Sequence, residues 1–224
     1  MATVAALTAG ALLYHPPVVL VAAGEPIDIT ADITVSGVPV HPTSGRYVIT
    51  WVRVERPTVF DLGRRLLRGH TRVEWQHRVD PGLLAAGRQA FLDSQQHAVL
   101  AAARAAGLTP ADTDDRADAA RLPFTVEFRA RDLTGPSAGL VYALALLDLL
   151  EPGDLAGGRI VAATGTIAPD GEVGEVGGLS WKAEGAARLD AAVFLVPRRQ
   201  ASAVGDRGRG VASLGDAVAM LSTP

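Results

Sequence analysis

TGPSAG, Thr134 to Gly139, runs directly into LVYALALLDLL, Leu140 to Leu150. From Ala138 to Leu150 nearly every position is apolar, a pattern that predicts a helix buried on most of its sides. Glu151-Pro152-Gly153 ends it. Immediately upstream, Val126 and Phe128 alternate with Glu127 and Arg129, which predicts a strand from about Phe124 that feeds the glycine-rich turn. Downstream, Arg159 to Thr164 reads as a buried strand and Pro169-Asp170-Gly171 as a tight turn. A helix is expected from near Ser180, a strand over Ala192 to Val196, and a last helix over Asp216 to Leu221. No internal repeat is visible.

The upstream part of the chain has a different texture. Ile27 to Val54 is rich in β-branched residues in short runs, broken by Ser36-Gly37 and by Pro42-Thr43-Ser44-Gly45, and YVITWVRV (Tyr47 to Val54) is its clearest strand. Gly82 to Ala106 reads as a helix. Leu84, Phe91, Leu92, Val99 and Ala103 recur at heptad-like spacing, and Gly107 stands at the C-terminal cap position. Gly107 to Pro123 is polar, with Asp112, Asp114, Asp115 and Asp118, and reads as a linker. The expected organisation is an apolar N-terminal segment (1–24), a strand-and-helix accessory region (25–106), the linker (107–123) and a second module (124–224). Ala2 to Gly24 holds no Lys, Arg, Asp or Glu and is long enough to span a bilayer. Pro16, Pro17 and His15 interrupt it and no basic flank precedes it, so two readings stand. One is a truncated membrane anchor. The other is a short helix over Val4 to Leu13 followed by an extended Val18 to Ala22.

The 224-residue chain carries a net charge of −3, has no cysteine and shows no basic patch interleaved with aromatics. Thiol chemistry and disulfides are excluded, and nucleic acid is not an expected partner. Arg64, Arg65, Arg68 and Arg72 read as a solvated basic face. Glu172, Glu175 and Glu184 show no metal-ligand spacing with histidine, and neither metal nor cofactor is expected.

The glycines around Ser137 allow a sharp backbone turn, and the N-terminus of the helix that follows favours negative charge, as an oxyanion site requires. Gly135 to Gly139 also fits the G-x-S-x-G elbow of α/β-hydrolases, which calls for a later histidine. All five histidines (His15, His41, His70, His77 and His97) precede Ser137, so that order fails; a permuted triad through His97 stays open, but nothing near His97 marks a site and a surface histidine is the better reading. Read alone, Ser137 is equally a helix-capping serine. Lys182, in GGLSWKAEG, is the only lysine; the other 20 basic residues are arginine. Arginine stays protonated, whereas a desolvated lysine can lose its proton and act as a base. Bringing its pKa from about 10.4 to about 7 requires roughly 4 to 5 kcal/mol of differential solvation, within what burial supplies. A lone lysine in an Ala/Val/Arg-rich chain could also be compositional chance. Taken with Ser137, a Ser–Lys dyad is the better reading.

LTGPSAGL, AATGTIAPDGEVGEVGGLSWKAEGA and AAVFLVP together resemble the proteolytic domain of Lon-type serine proteases over about Phe124 to Pro224. The resemblance implies an α+β fold, a Lon-protease-like catalytic domain preceded by a small strand-and-helix lobe. It implies Ser137 as nucleophile and Lys182 as general base, supported by Gly135, Pro136 and Ala138, with Thr164 matching the threonine that helps hold the lysine. The two residues between GGL and the lysine, VSGVPVHPTSGRYVITWVRV, and the helix around Phe91 to Ala106 resemble the membrane-anchored, PDZ-bearing Lon-like proteases of Gram-positive bacteria. Two departures stand out. Residues 107–123 cannot hold a PDZ module, and Thr134 replaces an aspartate found in many Lon enzymes. With one lysine and no G-x-x-x-x-G-K-[ST] loop, this sequence holds no ATPase module. The expected function is a serine endopeptidase acting on protein or peptide substrates, membrane-associated with an extracytoplasmic catalytic domain, or otherwise soluble. Homo-oligomerisation stays open. The rival is a catalytically silent, membrane-associated binding or assembly protein that keeps the fold.

Overall fold

The computed structural model describes residues 12–67, 72–75, 81–108, 121–129 and 131–223. Along the first half run β1 (Val18–Ala23), β2 (Ile27–Asp28), β3 (Ile33–Ser36), β4 (Arg46–Ile49), β5 (Val52–Glu55), α1 (Val59–Leu66), β6 (Arg72–Trp75) and α2 (Pro81–Ala105). The second half holds β7 (Thr125–Phe128), α3 (Gly139–Leu150), β8 (Ile160–Ala163), β9 (Thr166–Ile167), β10 (Val173–Gly174), α4 (Leu179–Arg188), β11 (Val193–Pro197), β12 (Arg209–Val211) and α5 (Leu214–Ser222). The architecture is mixed α+β, as expected.

A five-stranded sheet in the order β12-β11-β8-β4-β2 is the centre of the molecule. β12, β11, β8 and β4 are parallel to their neighbours and β2 is antiparallel to β4. Parallel strands covered on both faces read as unbroken apolar runs, which describes IVAA in β8 and VFLVP in β11. Side chains alternate between the faces. Val161, Ala163 and Leu195 join the large core built on α3, while Ala162, Phe194 and Val196 join a smaller core with Leu179, Ala183 and Ala186 of α4. The two helices therefore lie on opposite faces of the sheet. α3 is buried at nearly every position, as its apolar sequence predicts.

The expected division into an accessory lobe and a second module does not describe this core. β4 and β2 belong to the same sheet as β8 and β11, and β3 pairs with β7 across the 107–123 boundary. Phe91 of α2 meets Tyr142 of α3 edge-to-face, with ring centroids 6.1 Å apart. The physical reason is burial. Tyr47, Val48 and Ile49 have almost no exposed surface, and a parallel partner strand supplies both their hydrogen bonds and their cover. The linker at 109–120 lies outside the described residues.

YVITWVRV is two strands rather than one. β4 ends at Ile49, and the chain passes through Thr50 and Trp51 into β5, which pairs with β1 in a separate three-stranded sheet. The Trp51 indole N–H donates to the Glu25 carbonyl at 2.6 Å and fixes this crossing. In α2, Phe91, Val99 and Ala103 are buried, but Leu84 and Leu92 are exposed; the buried stripe runs instead through Ser94, Gln95, Ala98 and Ala102. Gly107 (φ 67°) does cap this helix. Val18 to Ala23 is strand β1, so the Ala2–Gly24 run is not one continuous helix, and no described helix is long and apolar enough to cross a membrane. The expected Val4–Leu13 helix falls mostly outside the described residues. Of the four arginines in the basic face, Arg65 is held by Glu55 at 2.7 Å.

Candidate active site

Ser137 sits half-buried in the turn that leads into α3. Gly135 adopts φ 86°, a left-handed conformation that a side chain would strain, and its N–H donates to the Gly87 carbonyl of α2 at 2.7 Å. At the other end of the turn, Leu140 N–H donates to the Gly165 carbonyl and Gly165 N–H donates to the Ser137 carbonyl at 3.0 Å. The serine is thus clamped between α2 and the end of β8.

Thr164 follows β8 directly, and its N–H extends the ladder to Leu195 of β11. The alternation that sends Ala162 toward α4 sends the Thr164 side chain the same way. There it is completely buried and accepts a hydrogen bond from Lys182 Nζ at 3.1 Å. Its own hydroxyl proton is donated to the Ser137 carbonyl, also at 3.1 Å. A chain of two hydrogen bonds therefore joins the lysine amine to the backbone of the serine.

Lys182 occupies a position reserved for apolar residues. Leu179, Lys182, Ala183 and Ala186 form the buried stripe of α4, at the i, i+3, i+4, i+7 spacing of a core-facing helix. The lysine is only 4% exposed, and no ion pair reaches it among the described residues. Burial alone lowers its pKa from 10.5 to about 8, because desolvation disfavours the ammonium form. α4 starts where it does because of Gly178. Its φ of 66° is left-handed, and a Cβ there would meet Val52 Cγ2 at 2.4 Å.

Of the residues singled out in the sequence, the structure brings Ser137, Thr164 and Lys182 together through Thr164. Lys182 makes no direct hydrogen bond to the Ser137 hydroxyl, which has no hydrogen-bond partner among the described residues. Two amides of the first turn of α3 are already engaged, Gly139 with the Pro136 carbonyl and Leu140 with that of Gly165. The amides of Ser137 and Ala138 have no hydrogen-bond partner among the described residues. Pro136 and the exposed His97 line one groove, but His97 makes no hydrogen bond to Ser137. Among the described residues no group of His, Cys, Asp and Glu could hold a metal ion. Sequence reasoning missed that groove, because its walls come from α2 (Ala90 to His97) and from the β9–β10 hairpin (Thr166 to Gly174), far apart in the chain.

Residues 118–211 match the family model of the Lon protease (S16) C-terminal proteolytic domain. The matched span, which is similar to that domain, contains Ser137, Thr164 and Lys182. No curated protein matches the chain.

Proposed function

We propose that the protein is a serine endopeptidase in which Ser137 is the nucleophile and Lys182 the general base. The observation that carries this reading is the amine of Lys182, buried and, among the described residues, without a counter-ion and hydrogen-bonded only to Thr164. Thr164 has one hydroxyl proton, and Ser137's carbonyl receives it. The lysine amine must therefore be the donor in its bond to Thr164, which leaves its lone pair directed elsewhere, free to accept a proton. In the reaction, Ser137 Oγ attacks the peptide carbonyl as Lys182 takes its proton. The tetrahedral oxyanion is held by the Ser137 and Ala138 amides. The same proton then passes to the leaving amine as the C–N bond breaks, and water, deprotonated by Lys182, releases the acyl group. With a pKa of about 8 the amine is neutral in about a tenth of molecules at pH 7. At the unperturbed value the fraction would be several hundred times smaller.

Placement near the membrane-anchored, PDZ-bearing subgroup rests on the motif around Lys182 and belongs to the same proposal, as does action without an ATPase module in this chain. The rival, a silent binding protein that keeps the fold, draws on the absence of a direct Lys182–Ser137 hydrogen bond. A serine-directed fluorophosphonate separates the two. The parent should be labelled at Ser137 and should cleave a casein or peptide substrate. Lys182→Arg should remain folded yet lose labelling and turnover by about 10³-fold or more, since arginine cannot surrender its proton. Near-parental turnover in the folded arginine variant ends the dyad reading.

A further inference from the structure

A cavity of about 520 Å³ opens beside the nucleophile turn, between α2 and the β9–β10 hairpin. Ala90, Pro136, Ile167 and Ala168 give it an apolar wall, and Asp93 and Glu172 contribute carboxylates. Among the described residues no lysine or arginine lines it. Asp93 accepts one hydrogen bond, from Gln89 Nε2 at 2.8 Å, and neither carboxylate forms an ion pair among the described residues. Other acids on this surface are answered: Asp132 by Arg88 and Asp216 by Arg198. Pro136, which lines the cavity, directly precedes Ser137 in the chain.

Resting on the peptidase reading above, we propose that this cavity receives a lysine or arginine side chain of the substrate, close to the scissile bond. A long aliphatic stem lies against the apolar wall while its cationic head reaches Asp93 and Glu172. An acidic side chain would meet like charge. An apolar one would cover two carboxylates without pairing them, which costs free energy.

The test uses the full chain and fluorogenic peptides that differ at one position, scanned on both sides of the cleaved bond. Arginine, lysine, norleucine, glutamine and glutamate are compared at each position. At one position the arginine or lysine peptide should exceed norleucine by about tenfold in kcat/KM at low salt, the scale of two partly exposed charge contacts. Asp93→Asn combined with Glu172→Gln should bring that ratio to about twofold or less. Glu151→Gln, an exposed acid away from the cavity, should leave the ratio unchanged. In the parent the ratio should also shrink toward 0.5 M NaCl as screening shortens the reach of the carboxylates. Cleavage without basic preference at any position, or a preference that survives the double substitution, overturns this proposal and leaves the peptidase standing. Absence of cleavage across the whole series overturns both.

Discussion

Asp148 and Lys182 are both ionisable side chains sunk in helices that are otherwise apolar on the buried side, and the protein treats them in opposite ways. Asp148, 3% exposed in α3, accepts from the Tyr47 hydroxyl at 2.8 Å and from the amides of Leu155 and Ala156. Burial and the neighbouring carboxylate in turn hold the Tyr47 hydroxyl protonated well above the ordinary phenol range. Asp32, also buried, is gripped by Arg131 and approached by Arg129. Among the described residues Lys182 has one neutral hydroxyl as its side-chain partner and no counter-ion. A buried charge that serves the fold is compensated; an amine that is to act as the proposed base has to be left poorly solvated so that it can be neutral.

The sharpest test of this contrast is on the structural side. Asp148→Ala removes the acceptor from a tyrosine hydroxyl and two amides at once, all in or beside the core. Unmet buried donors cost roughly 1 to 3 kcal/mol each, less whatever water enters, so a loss of about 4 kcal/mol is expected by urea unfolding. A loss below about 1 kcal/mol would mean that the Tyr47–Asp148 cluster is not the compensated site described here.

How much of this was legible beforehand differs between the two groups. Lys182 announced itself as the only lysine, and GPSAG announced the serine, because each departs from its local composition. Asp148 carried a similar mark, the one charged residue in the apolar run from Ala138 to Leu150, yet its partner Tyr47 lies 101 residues away and no local pattern names it. The same gap hides the strand pairing that crosses the expected boundary. A polar stretch at 107–123 looks like a separator, but strand pairing between β4 and β8 is decided by surfaces that meet only after the chain folds back. The exposed Leu84 and Leu92 likewise fit a heptad on paper, whereas Gly87 at the nucleophile turn fixes which face of α2 points inward. Local patterns gave α3, α4 and the candidate groups Ser137 and Lys182; long-range pairing gave their spatial relation.

On the functional side, replacing Lys182 by methionine should raise stability rather than lower it. The folded-state pKa of about 8 lies below the unfolded value of 10.5, so the unfolded chain binds more protons between those two values. Below pH 8 the parent carries the full penalty, about 3 kcal/mol, for keeping or neutralising a buried amine. The penalty declines as pH rises through the window and is absent above about 10.5. Lys182→Met, with a side chain suited to the Leu179–Ala183–Ala186 stripe, should therefore unfold at higher urea than the parent at pH 7. The difference should close as pH approaches 10. A methionine variant that is less stable than the parent at pH 7, or a gap independent of pH, would mean that the amine is not poorly solvated.

The smallest effect is the most diagnostic of mechanism. If neutral Lys182 is the base, kcat/KM for a peptide without titratable side chains should follow the fraction of neutral amine. With a pKa of about 8 that fraction goes from about a tenth at pH 7 to about nine tenths at pH 9, so activity should rise about tenfold and then level off. A lysine at its unperturbed 10.5 would give a rise of about a hundredfold over the same interval, with no plateau below pH 10. The two profiles differ in shape as well as size, so the measurement needs no knowledge of absolute rate. Thr164→Val sharpens it further. Valine keeps the volume but accepts no hydrogen bond, leaving the amine buried without its one partner, and an ammonium suffers from that loss more than an amine does. The apparent pKa should move down and the plateau should begin at lower pH, while the plateau height falls because the amine is no longer aimed. An unchanged midpoint in the valine variant would remove Thr164 from the site and leave burial alone to set the lysine.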